Sequence, residues 1–178
     1  ARARARARAR LWKNEIFMKL SIIVPTRNSS QHITETCESI LEQQYDDYEV
    51  LFIDAESIDG TLEFIASYKD FHARAQSVPK EVTLYEMVNR GIKRAQYDYI
   101  LIFFPGTTFL FVDALKTLRQ RIQELDYPDI FYTASFVQDD MKKSSFFFRP
   151  CEEKYLKFGQ QPAAIEATLI KKSLFQKI

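Results

Sequence analysis

Three short apolar runs constrain this chain more than any other feature. Leu20-Ser21-Ile22-Ile23-Val24, Val50-Leu51-Phe52-Ile53 and Tyr99-Ile100-Leu101-Ile102-Phe103 are nearly continuous and rich in β-branched or aromatic residues. They do not alternate with polar residues, so each reads as a strand buried on both faces. Helical spacing fills the gaps. Ile33, Cys37, Ile40 and Leu41 make one apolar stripe, Leu62, Ile65 and Ala66 a second, and Leu84, Met87, Val88, Gly91, Ile92 and Ala95 a third. A weaker strand is expected near residues 73–78. This alternation predicts an α/β domain with a mainly parallel central sheet flanked by helices, in which the three strong strands are neighbours.

The remainder is less regular. Leu115, Leu118, Ile122 and Leu125 mark a helix, and Ile130-Phe131-Tyr132 begins a strand. Val137-Gln138-Asp139-Asp140-Met141 reads as a turn or loop before Phe146-Phe147-Phe148, with Asp139-Asp140 an exposed turn. A short helix near 152–158 and an apolar segment around 163–170 are expected. Asn28-Ser29-Ser30 offers N-cap residues to the first helix, and Asp59 to the second.

The first ten residues alternate Ala and Arg, which is no core-forming period. Residues 1–17 are read as an artificial leader or residues of unknown identity, and 18–178 as the domain. The full sequence carries 25 Lys+Arg against 24 Asp+Glu, net +1; without the five arginines of the repeat it is 20 against 24, net −4. A mildly acidic chain excludes the basic-patch route to nucleic acid. No apolar run reaches the roughly 20 residues of a membrane-spanning helix. Cys37 and Cys151 sit in no metal-binding spacing and make no disulfide framework. Cys37 falls on an apolar stripe, as a small buried hydrophobe does, and a reducing cytoplasm fits. His32 and His72 are expected to be structural or exposed, without a partner.

If the strands are parallel, their carboxyl ends line one edge of the sheet, the usual ligand crevice of such folds. Pro25-Thr26-Arg27-Asn28 supplies a turn there, beside a helix whose first N–H groups favour phosphate. Asp54 and Glu56 can accept hydrogen bonds from a uracil-type N–H or from ribose hydroxyls. No local duty for Asp54 is visible in the sequence, whereas Asp59 is expected to cap its helix instead of touching ligand. Arg27 faces the proposed crevice. Arg90, Lys93 and Arg94 lie off the apolar stripe, as a solvated face would. Asn89 either ties down the neighbouring loop or touches ligand.

The stretches KLSIIVPTRN, SILEQQYDDYEVLFIDAESIDGTLEFI and YEMVNRGIKRAQYDYILIFFPGTTF resemble successive blocks of the family 2 glycosyltransferases, in family order and spacing. The late segment QPAAIEATLIKKSLFQKI resembles the block that shapes the acceptor side. The resemblance implies a GT-A, Rossmann-like fold. It further implies transfer, with inversion, of a sugar from a nucleotide-diphosphate donor, a UDP-sugar, to a glycan or lipid-linked acceptor in bacterial surface polysaccharide synthesis. The setting would be cytoplasmic, with peripheral association at the inner face of the membrane. Donor-binding positions would be Pro25, Thr26, Arg27, Asn28, Asp54, Glu56, Asn89, Gly106 and Thr107. The alternative is a catalytically inactive GT-A pseudoenzyme acting as a binding module. A nucleotide-binding domain of unrelated chemistry is disfavoured by the motif order.

The departures matter as much as the matches. One subgroup reads IIDGGSTDGT, IYDAMNKGI and FLNAGDTF. Against it Asp54, Ser57, Asp59, Gly60, Thr61, Tyr85, Asn89, Gly91, Gly106, Thr108 and Phe109 match. Glu86-Met87-Val88 replaces Asp-Ala-Met, Thr107 stands where the metal-binding Asp belongs, and Phe104 where Asn or Asp does. Mg²⁺ or Mn²⁺ would follow from the resemblance, yet such cations want hard, charged oxygen ligands, so no metal ligand is assigned. Neutralising a diphosphate would then fall to Arg27, helix N-termini or solvent. The family's catalytic base lies in a region expected beyond Ile178, so no catalytic residue is assigned.

Overall fold

β1 (Leu20–Thr26) is buried at all seven positions because it has a strand on each side and a helical layer on each face. The computed structural model describes residues 18–68, 73–133, 135–139, 144–148 and 165–176. In it β1 runs parallel to both β2 (Tyr48–Asp54) and β4 (Tyr99–Ile102), so the three apolar runs are neighbours as expected. The weaker run forms β3 (Ala73–Ser77), parallel to β2 on its outer side. β5 (Ile130–Tyr132) and β8 (Thr168–Lys171) pair antiparallel with each other, and β8 with β4. The order is β3-β2-β1-β4-β8-β5, a mainly parallel sheet.

β6 (Ser135–Asp139) and β7 (Ser144–Phe148) form a separate antiparallel pair. This corrects the reading of 137–141 as turn or loop over its described part, 137–139. Backbone pairing of Phe136 with Phe147 and Val137 with Phe146 makes the strand, and such cross-strand partners leave little periodicity in five residues. Asp139 therefore closes a strand. Asp140, His72, Cys151 and the helix expected near 152–158 lie outside the described residues. The apolar segment around 163–170 contributes a 3-10 turn, Ile165–Ala167, and most of β8.

Alternate strand residues feed two cores. Ile22, Val24, Val50, Phe52, Leu101 and Phe103 face one side, with Ile33, Cys37 and Ile40 of α1 (Ile33–Leu41), Ile65 of α2 (Thr61–Ser67) and Leu115 and Ile122 of α4 (Ala114–Glu124). Ile23, Leu51, Ile53, Ile100 and Ile102 face the other, with Met87 and Ile92 of α3 (Leu84–Arg94). Gly91 is the close point of that second interface. A Cβ placed there would lie 2.5 Å from Ile23 Cγ2, so only glycine lets α3 sit this low on β1.

The amino-terminal edge of the sheet is locked by a buried acid. Glu49 Oε1 accepts hydrogen bonds from Ser21 Oγ and the Gln96 amide, each at 2.6 Å, and Oε2 pairs with Arg74. Arg74 also reaches the Arg94 carbonyl, which places the carboxyl end of α3 at this edge. Function is left to the opposite edge.

Candidate functional site

At the carboxyl edge the β1–α1 and β2–α2 connections are laced together. Asp54 is fully buried. Its Oδ1 accepts from Thr26 Oγ1 at 2.8 Å and Ser57 Oγ at 2.6 Å, and its Oδ2 accepts from the Ser57 amide at 2.9 Å. The expectation that this carboxylate has no local duty is therefore corrected: it ties two strand ends and the loop between β2 and α2. Pro25 and Thr26 are buried within β1, so they shape the edge from behind. The exposed positions include Arg27, Asn28, Glu56, Ile58 and Asp59.

Asn28 is the second tie. Its amide donates to Ser57 Oγ at 2.9 Å and its Oδ1 accepts from the Ile58 amide at 3.0 Å. Asn28 and Glu56 both hold left-handed backbone, φ +48° and +45°. Asparagine tolerates that region; glutamate does so at a cost. Glu56 occupies the place of a glycine in the pattern IIDGGSTDGT.

Asn28-Ser29-Ser30 does not cap α1 as expected. The N-cap is His32, without a side-chain cap, and the His32 and Ile33 amides bond the Ser29 carbonyl. Neighbouring amides are spent on other loops: Arg27 N donates to Ser29 Oγ, Ser29 N to Thr61 Oγ1 and Ser30 N to Asp59 Oδ2. The protein's own acceptors thus take several of the amides read from the sequence as a phosphate cradle. Asp59 does not occupy the cap of α2 as expected: the N-cap is Gly60, without a side-chain cap, and Asp59, one residue before it, accepts from Thr61 N at 3.1 Å and Thr61 Oγ1 at 2.6 Å. The Thr61 hydroxyl, and then the Ser30 amide, hold its carboxyl well below the usual carboxylate range.

The turn after β4 is fixed from α1. Gly106, at φ +97°, donates its amide to Thr36 Oγ1 at 2.8 Å, and the Phe109 amide reaches Ser39 Oγ at 3.4 Å. Thr107 N closes the turn onto the Phe104 carbonyl at 2.8 Å. The Phe103 and Phe109 rings lie 4.6 Å apart, while half-buried Phe104 packs against the α3-side core. Thr36 and Ser39 were missed in the sequence, where hydroxyls on a helix carry no signal for a partner 70 residues away. Also missed was a His32–Glu35 pair, Nδ1 to Oε1 at 3.4 Å; His32 is exposed as expected but not partnerless. Glu35 Oε1 lies 3.6 Å from where a Cβ on Gly106 would stand.

α3 begins at this same edge, because β3 ends there: the Val78 amide bonds the Asp54 carbonyl at 2.7 Å. Thr83 and Glu86 form a capping box, and the Thr83 amide and hydroxyl lower the Glu86 carboxyl. Glu86 is committed to that cap. Tyr85 and Asn89 are exposed, and Asn89 makes no hydrogen bond to a described residue, so it does not tie down the loop there. No group of three or more His, Cys, Asp or Glu gathers among the described residues. A neutral Thr107 hydroxyl and an apolar Phe104 do not fit a divalent cation at the turn.

The sequence model for glycosyl transferase family 2 matches residues 21–141, which span the whole of this edge. The chain belongs to that family. The poly(ribitol-phosphate) beta-N-acetylglucosaminyltransferase TarS of Staphylococcus aureus (strain Mu50) is 40% identical over 120 residues, covering 61% of this chain and 19% of TarS. The dolichyl N-acetyl-alpha-D-glucosaminyl phosphate 3-beta-D-2,3-diacetamido-2,3-dideoxy-beta-D-glucuronosyltransferase of Methanococcus voltae is 34% identical over 101 residues, 51% of this chain and 31% of its own. The chain thus spans less than a third of either relative. Among solved structures, S. aureus TarS 1-349 in complex with UDP-GlcNAc superposes with a TM-score of 0.71 over 90% of this chain and 47% of that one, at 20% identity. That likeness establishes the GT-A fold.

Proposed function

We propose that the carboxyl edge of β1, β2 and β4 binds a nucleotide-diphosphate sugar, a UDP-sugar, and that the protein transfers the sugar to a glycan or lipid-linked acceptor in bacterial surface polysaccharide synthesis. The observation that carries this reading is the laced pair of loops within a family 2 fold. Exposed Arg27, Asn28 and Glu56 stand on a backbone held from beneath by Asp54. In this reading Arg27, Asn28, Glu56 and Asn89 contact the donor, and Gly106 and Thr107 border its diphosphate. Pro25, Thr26 and Asp54 position the others. Relatives that are glycosyltransferases of poly(ribitol-phosphate) and a similar fold solved with UDP-GlcNAc support the choice of donor and pathway class. The setting would be the cytoplasmic face of a membrane; no helix among the described residues is long and apolar enough to cross one.

The test is calorimetric titration with uridine diphosphate and UDP-GlcNAc, against adenosine diphosphate as control. Selective uridine binding is expected; no binding of either uridine ligand removes the proposal. The absent acid at Thr107 favours a second reading, a pseudoenzyme that binds without transfer. Uridine binding without uridine-diphosphate release, in the presence of any of a panel of acceptors, would select it.

A further inference from the structure

We propose that the donor diphosphate is met by the guanidinium of Arg27 and not by a divalent cation. This rests on the donor-binding reading above. A nucleoside diphosphate brings more than one negative charge to the edge, and three sources could offset it: a metal, backbone amides or a cationic side chain.

The metal source fails at the turn itself. Thr107 offers a neutral hydroxyl. Phe104 is an apolar ring packed against the α3-side core, so the other ligand position offers no oxygen. The turn also has no need of a cation to order it, since Thr36 and Ser39 pin it to α1.

The amide source is largely consumed. On the β1–α1 loop the amides of Arg27, Asn28, Ser29, Ser30, His32 and Ile33 all have internal acceptors. On the β4 turn those of Gly106, Thr107 and Phe109 are taken, and Pro105 has none. The Asp59 carboxylate beside Ser30 adds negative charge where helix α1 would have offered positive.

A side chain remains. Arg90 stands on α3 near the Glu86 carboxylate of the capping box, which offsets its charge, and Lys93 and Arg94 belong to the last turn of α3, beside the Glu49–Arg74 lock at the far edge of the sheet. Lys80 follows β3, two strands from β1, or about 10 Å at the usual strand spacing. Arg27 follows β1 directly, one strand, about 4.8 Å, from the strand that carries the turn. It is exposed and forms no ion pair with a described residue. Its fork of donors suits phosphate oxygens.

The experiment titrates the chain with uridine diphosphate and with uridine, each with EDTA and with Mn²⁺. The expected result is uridine-diphosphate binding that changes less than about threefold between EDTA and Mn²⁺. Arg27→Ala should weaken uridine diphosphate by roughly 10- to 100-fold, the scale of a lost charge-assisted contact. It should leave uridine unchanged, and Arg27→Lys should restore part of the loss. A merely structural role would lower both ligands together and would overturn the assignment. Binding that requires Mn²⁺ overturns it while leaving the proposed function standing; if Glu35→Gln then abolishes that requirement, the α1 carboxylate beside Gly106 holds the metal. No binding of either ligand overturns the function and this inference with it.

Discussion

The Thr26 hydroxyl meets the buried carboxylate of Asp54 at 2.8 Å, across a sequence separation of 28 residues. That contact joins β1 to β2 where both strands end, and Ser57 completes it from the loop. Asp54→Ala would strand the Thr26 hydroxyl and the Ser57 amide and hydroxyl in a dry site. The expected loss is about 2–4 kcal/mol of folding stability, given ~1–3 kcal/mol for each unsatisfied buried group and partial relaxation. Urea unfolding measures it, and a loss below about 1 kcal/mol, the least expected for a single stranded buried group, would mean the carboxylate is not the tie.

Gly91→Ala sets packing against propensity. Alanine is the better helix former by ~1 kcal/mol, yet its Cβ would meet Ile23 Cγ2 at 2.5 Å. Overpacking of this kind costs about 1–3 kcal/mol, so a net loss of stability is expected. Thermal unfolding of Gly91→Ala, alone and with Ile23→Ala, checks it. The second substitution should make the first less harmful; a Gly91→Ala variant more stable than the parent would show that α3 does not rest on β1 as described.

Glu56 separates strain from charge. Left-handed backbone costs a residue with a Cβ about 1–2 kcal/mol, and glycine gives back ~0.5–1 kcal/mol of that as chain entropy. Glu56→Gly should therefore stabilise by about 0.5–1 kcal/mol, whereas Glu56→Ala should not. Equal effects of the two in chemical denaturation would locate the cost in the carboxylate and not in the backbone.

What the sequence made legible follows from the range of the interactions. β1, β2 and β4 are buried parallel strands, and such strands announce themselves as apolar runs. α1 and α3 announce themselves by apolar stripes. The duty of Asp54 depends on Thr26, 28 residues away, and the anchoring of Gly106 on Thr36, 70 residues away. Neither leaves a local pattern. The pairing of β6 with β7 is local but was hidden because five-residue strands show little periodicity, and Asp139-Asp140 then drew a turn reading from composition alone. The family motifs located the edge; they did not reveal which of their polar residues face outward. Asp54 and Arg27 looked equally available in the sequence, and only burial separates them.

Asp59 makes the lacing of the two loops sensitive to acid. Its carboxylate accepts from Thr61 and Ser30 at once, and these bonds favour the charged form, so its folded pKa lies below the unfolded value of 3.8. A group depressed on folding contributes stability that is fully present above its unfolded pKa and is lost as pH falls through the folded one. The contribution of Asp59 should accordingly be constant from neutral pH down to about the unfolded value of 3.8 and decline below it. Asp59→Asn removes the titrating group and replaces one acceptor oxygen with an amide that cannot accept from Ser30. The stability difference between parent and variant, followed by urea unfolding across an acid series, should narrow only at the acid end. A difference that instead narrows on going from acid to neutral pH, or does not vary at all, would show that Asp59 carries no such linkage.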